Sequence, residues 1–174
     1  SHQSHRLTWR TPLRALRLKG RYPLKLNAVP DDPFLGDPGR GNALLEGKLR
    51  FRGESHDVAA LDLAKPVWSK PFGDYFHSFA WLRDLSTVTT RAGAAPVAEA
   101  LMRKWLGTHA EKVTDPAWRP DLWGRRILFW TAHAPLILSS TDLVYRSQVL
   151  HTLARRGRLL GRTAARAPPG APGC

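Results

Sequence analysis

Apolar positions across residues 72–160 recur at helical spacing, and four helices follow from them. Over 73–85 the pattern places Phe72, Phe76, Phe79 and Leu82 or Arg83 on one face and His77, Trp81 and Asp84 on another. Val97, Leu101 and Trp105 recur every four residues behind Pro96, which suits a first-turn position, and Glu99 and Arg103 make a surface pair. Asp115 followed by Pro116 predicts the start of a helix over 117–133 on which Trp123, Ile127 and Trp130 align. Ser139-Ser-Thr-Asp142 is a capping signal for a last helix, with Leu143, Leu150, Leu153 and Leu160 at near-heptad spacing that suits packing against neighbouring helices.

The start of the chain patterns differently. Leu13, Ala15 and Leu16 with Arg14, Arg17 and Lys19 predict a short basic helix stopped by Gly20. Arg21 to Gly41 is rich in Gly, Pro and Asp and predicts loop. From Gly47 to Gly53 apolar and basic residues alternate, the pattern of a short strand, with the segment around Val58 to Leu63 as its expected hairpin partner. Pro66 and Pro71 punctuate the entry to the helices. The end, Ala167 to Cys174, is Pro- and Gly-rich and is expected to fray. The fold class is therefore mainly α, helical hairpins behind an irregular and β-hairpin start. The expected division is 1–70 for the basic helix, loop and hairpin, 71–162 for the helical hairpins and 163–174 for a disordered tail.

Charge sharpens this picture. The 174 residues carry a net charge of +13. Residues 1–26 hold Arg6, Arg10, Arg14, Arg17, Lys19, Arg21 and Lys25 with no acid, and 143–174 hold Arg146, Arg155, Arg156, Arg158, Arg162 and Arg166 with no acid. The middle of the chain is neutral. Basic ends suit nucleic acid, an anionic membrane surface or an acidic polysaccharide, and equally a pair of solvated helix faces. A hydrophobic content of 43% with seven Trp excludes a wholly disordered chain. No run of about 18 apolar residues is present to span a membrane. Cys174 is the single cysteine, so no intrachain disulfide forms.

No Cys/His spacing fits zinc, no Gly-rich phosphate loop follows a strand and no G-x-S-x-G occurs, so neither a metal nor a cofactor is expected. What stands out is a set of aromatic, His and Arg side chains: His77, Trp81, Arg125, Arg126, Trp130 and His133. Aromatic faces stack on sugar rings, and Arg and His neutralise carboxylates or sulfates. Each has a structural alternative. His77 and Trp81 suit a helix–helix contact, and His133 suits a helix C-terminus. Of Arg125 and Arg126 one must face the aromatic side, where it stacks on Trp, binds a carboxylate or joins a salt bridge. Arg83 and Asp84 fit a structural ion pair or loop anchor.

Several strings resemble the N-terminal part of heparinase II/III-like polysaccharide lyases of alphaproteobacterial type. They are Leu24-Lys-Leu, Pro30-Asp-Asp-Pro-Phe-Leu-Gly-Asp37, Gly47 to Gly53, and Phe76-His-Ser-Phe-Ala-Trp-Leu-Arg-Asp84. Further along come Trp105, Trp118-Arg-Pro-Asp, Gly124-Arg-Arg-Ile, Trp130, His133-Ala-Pro and Asp142 to Arg146. The resemblance implies an incomplete (α/α) toroid of helical hairpins, followed in such proteins by a β-sandwich. It also implies β-elimination of uronate-containing polysaccharide, in which a residue neutralises the carboxylate and a base takes the C5 proton. A periplasmic location would follow. The Asn, His and Tyr that carry the chemistry in that family match no residue here. The chain is thus expected to be a truncated or excerpted lyase, inactive alone, with uncovered apolar helix faces prone to self-association. The alternative is a small helical protein that binds nucleic acid or another anionic partner through its basic ends, with no catalysis.

Overall fold

Asp37 and Pro38 together start the first helix of the structure, a computed structural model that describes residues 32–111 and 116–165, with side-chain surroundings up to residue 154. Helix α1, Pro38–Leu45, is capped by the Asp37 carboxylate, which accepts the Arg40 backbone N–H at 2.9 Å, and its proline occupies the first turn, where no N–H is required. Gly and Pro content predicts loop through Gly41; the Asp-Pro cap overrides it.

Strands β1, Lys48–Phe51, and β2, Glu54–Asp57, form an antiparallel hairpin in which Lys48 faces Asp57 and Phe51 faces Glu54. Arg52 and Gly53 close it with φ of 48° and 81°, as a two-residue primed turn requires. The strand between the two glycines is where the alternation places it. Its partner is the residues just past the turn, because so tight a reversal pairs the chain at once. Val58–Ala60 is a 3-10 turn instead.

The helix predicted over 73–85 is two helices, α2 (Lys70–Ser78) and α3 (Trp81–Val88). Phe79 breaks them, with a left-handed φ of 64°. Both faces of this stretch are apolar, and one straight helix would leave one of them in water. Turning at Phe79 sends both inward, so that Phe72, Phe76, Phe79, Trp81 and Leu82 are all fully buried.

Helix α4, Arg91–His109, starts at the Thr90 cap, so Pro96 lies inside it and not in the first turn. Leu101 and Trp105 are buried, and Arg103 and Glu99 pair at 2.6 Å on its surface. Helix α5, Pro120–Ala132, starts at Pro120 after a turn over 116–118, a few residues later than the Asp-Pro signal predicts. Asp115 lies outside the described residues. A short α6, Ala134–Ile137, precedes α7, Leu143–Ala165. The capping signal there works through its last residue: Asp142 accepts the N–H groups of Val144 and Tyr145 at 3.0 and 3.1 Å. On α7 Leu150 is buried and Leu143 exposed. The side chain of Leu160, the basic segment around 13–19 and the tail from 167 lie outside the described residues.

The architecture is mainly α with one short two-stranded hairpin. Helix α1 packs on α3, α2 on α5 and α4 on α6. One core runs from Leu44, Leu49 and Leu63 through the phenylalanines to Trp105, Trp130 and Val149, so the hairpin segment shares its packing with the helices. Among the described residues no helix is long and apolar enough to cross a membrane.

Candidate functional site

Arg126 is the centre of the most unusual arrangement in the molecule. Helix α5 carries it inward between Trp123 and Trp130, and it is 2% exposed. Its guanidinium carbon lies 4.5 Å from the centroid of the Trp105 ring and 4.7 Å from that of Trp118. Its Nη1 donates to the carbonyl of His77 at 2.8 Å and to that of Ala117 at 2.8 Å. The His77 carbonyl belongs to the last turn of α2, where carbonyls lack helical partners and the helix dipole is negative, so a cation fits there twice over. Arg126 therefore ties α5 to the end of α2 and to the turn before α5.

His77 sits beside it. Trp105 Nε1 donates to His77 Nδ1 at 3.2 Å, and because an indole N–H only donates, that ring nitrogen carries no proton. The His77 ring meets that of His109 edge-on at 5.1 Å, and Trp118 Nε1 donates to the His109 carbonyl at 3.0 Å. Burial, then His109 and Arg126, depress the His77 pKa to about 3; burial and Arg126 depress that of His109 to about 4. Both rings are neutral at ordinary pH. Among the described residues the cluster sets the Arg126 charge beside neutral rings, and Arg126, His77 and His109 are all buried.

Two carboxylates organise the surface around this core. Asp84 on α3, fully enclosed, accepts the Tyr75 hydroxyl at 2.5 Å, Arg40 Nε at 2.9 Å and the Asp37 backbone N–H at 2.7 Å. Burial and the neighbouring Asp84 push the Tyr75 phenol far up, so it is a permanent donor. Asp32 accepts Arg83 at 2.7 and 3.1 Å and faces His133 Nε2 at 3.0 Å. Burial acts to raise the Asp32 carboxyl, but the hydrogen bonds of Arg83 and His133 outweigh it and hold it below the usual range.

His77, Arg126 and Trp130 meet in one cluster around Trp105. Trp81 is fully buried and donates from Nε1 to the Phe76 carbonyl at 3.2 Å. Trp130 is 1% exposed, packs edge-on against Phe79 and Trp105, and its Nε1 has no hydrogen-bond partner among the described residues. His133 is 7% exposed and serves the Asp32 pair at the far side of α5. Arg125 alone of the six is exposed. In this arrangement the rings of His77, Trp81 and Trp130 offer no open face on which a sugar could stack. Arg83 and Asp84 are loop anchors, Arg83 to Asp32 and Asp84 to the segment ahead of α1.

Tyr75, His109, Trp118, Asp32 and Arg40 complete these networks, and the sequence pattern does not mark them as site residues. Asp32 and Trp118 lie within the quoted strings, but nothing local reveals that Asp32 meets a histidine 101 positions away. Among the described residues no group of His, Cys, Asp and Glu could hold a metal ion.

No family model matches the chain, and no solved structure matches it. It is similar to FtsZ-localized protein C of Caulobacter vibrioides (strain NA1000 / CB15N), with 30% identity over 142 residues. That alignment takes in 79% of this chain and 24% of the relative, so the chain spans about a quarter of the length of the curated protein it matches.

Proposed function

We propose that this chain is a helical, non-catalytic module of a longer protein that localises with FtsZ. The observation that carries the reading is the 30% identity to FtsZ-localized protein C across 142 residues, most of the present chain. The interior supports the non-catalytic part. Arg126, His77 and His109, the groups best suited to acid–base or anion chemistry, are spent on carbonyls and rings inside the core. A general base must reach the proton that it takes, and these have no route to one. A fluorescent fusion of the chain, imaged beside labelled FtsZ, tests the localisation. Coincident signal supports the reading, and signal independent of FtsZ rejects it.

A second reading is the toroid portion of a heparinase II/III-like lyase, favoured by the strings around His77–Asp84 and Arg126–Trp130 and by the helical hairpins that carry them. The two readings are compatible, since one can describe ancestry and the other location. The lyase reading requires acidic-polysaccharide binding, and β-elimination once the chain is joined to the remainder of its protein. Binding of a uronate polymer in preference to DNA at matched salt supports the lyase reading, and the lack of any preference removes it. Neither reading expects unsaturated uronate product from this chain alone, and turnover by the chain itself would replace the module reading with an enzyme.

A further inference from the structure

Many basic residues of the described region are engaged. Arg40, Lys70, Arg83, Arg103 and Arg119 pair with carboxylates, and Lys104 donates to the carbonyls of Val58, Ala59 and Leu61. Lys65 and Arg125 are exposed without an ion pair among the described residues, and the β-hairpin brings three such residues together. Lys48, Arg50 and Arg52 are exposed and enter no ion pair among the described residues.

Their placement follows from the register. Residues directly opposite share a face, so Lys48 with Asp57 and Arg50 with Ser55 form the solvent side, while Leu49 and Phe51 turn inward. Asp57 offsets Lys48, which leaves the turn end, Arg50 and Arg52, as the cationic pole. Arg52 holds a φ of 48°, a conformation in which Asn, Asp or Gly is ordinarily found at a primed turn. An arginine there carries backbone strain, so something other than turn formation favours it. Its guanidinium lies 5.1 Å from the Phe51 ring, which also stacks on Tyr75 at 4.4 Å and lies 5.5 Å from Arg40.

We propose that this hairpin tip, Arg50 and Arg52 with Lys48 behind them, docks an extended acidic peptide segment of a partner protein. Charge complementarity selects an anion, and three further features select a peptide. Side chains two residues apart on β1 repeat at about 7 Å, and those of any extended peptide repeat at the same spacing, so carboxylates at alternate positions meet Arg50 and Lys48 in step. The Phe51 ring is already covered by Tyr75, so the tip has no free aromatic platform for a base or sugar. The strands carry no exposed large apolar side chain to enter a bilayer. The inference does not depend on where the protein localises.

The test is fluorescence anisotropy with the whole chain and a labelled seven-residue peptide of alternating Glu and Ser at low salt. Arg50→Gln combined with Arg52→Asn is expected to weaken binding at least about fivefold, while Lys65→Gln, an exposed lysine elsewhere, leaves it unchanged. Arg52→Asn places the residue pair best suited to the turn, so the melting temperature holds or rises and lost binding is not lost fold. Affinity unchanged in the double variant overturns the proposal. So does tighter binding, through the same arginines, of an oligothymidine or of phosphatidylglycerol vesicles.

Discussion

Arg126 lies over the Trp105 ring at 4.5 Å while donating to the carbonyl of His77, and that relationship joins α2, α4 and α5 at one point. A buried guanidinium is tolerable because rings and carbonyls replace its water. The same features make it hard to substitute. Arg126→Met keeps much of the bulk but leaves two buried carbonyls without their donor, so we expect a loss of about 2–4 kcal/mol in urea unfolding. Arg126→Lys is expected to recover little of it, since an ammonium cannot lie flat between two indoles and reach both carbonyls.

The paired histidines make stability depend on acid. In the folded state His77 and His109 stay neutral down to about pH 3 and 4, whereas both titrate near 6.5 once unfolded. Below about pH 6.5 the unfolded chain therefore binds more protons than the folded one, and stability falls as pH falls. Each histidine contributes about 1.4 kcal/mol per pH unit, levelling off as the folded rings titrate. Asp32 and Asp121, held low by arginine partners, and Asp74, held low by Lys70 and Arg119, act in the same direction at lower pH. Unfolding free energies between pH 7 and 5 should show this slope, to which buried His133, also held below its ordinary value, adds, and His77→Gln should make it shallower.

Asp84 is the second junction. Asp84→Asn preserves the shape and removes the charge that holds Arg40 and the Tyr75 hydroxyl, at an expected cost of about 1.5–3 kcal/mol. Because Arg40 is its partner, Asp84→Asn with Arg40→Gln should cost clearly less than the sum of the two alone in a double-mutant cycle.

Gly41 is required by helix spacing. A Cβ at that position would overlap the carbonyl oxygen of Asp84 and lie 2.8 Å from Val88 Cγ2, so α1 could not rest on α3. Gly41→Ala, which in an isolated helix would be favourable, is expected to lower stability by about 1–3 kcal/mol through overpacking. Thermal unfolding against Gly107→Ala, at a helical glycine with open space around it, separates packing from propensity.

The sequence shows its helices and hides its connections. Leu101 and Trp105 lie inward where the four-residue spacing puts them, and Lys48 to Phe51 form the strand that alternation predicts. The break at Phe79 could not be read, because phenylalanine is not a residue that signals a left-handed turn; burial among Trp81, Trp105 and Trp130 imposes it. The late start of α5 shows a nearer proline, Pro120, prevailing over Pro116. For the site, aromatic and Arg content points to side chains of which His77, Arg126 and Trp130 meet in one cluster, but a helical face drawn from one element does not say whether it meets solvent or another helix. His77 and Trp130 meet helices. Long-range pairs such as Asp32 with His133 and Asp84 with Arg40 leave no local trace.

Localisation tests the central claim most directly. Cells expressing the chain fused to a fluorescent protein would be followed while FtsZ is depleted. The account expects the fusion to coincide with FtsZ and to disperse as FtsZ is lost. A fusion that is diffuse while FtsZ is abundant, or that keeps its position once FtsZ is gone, would contradict it.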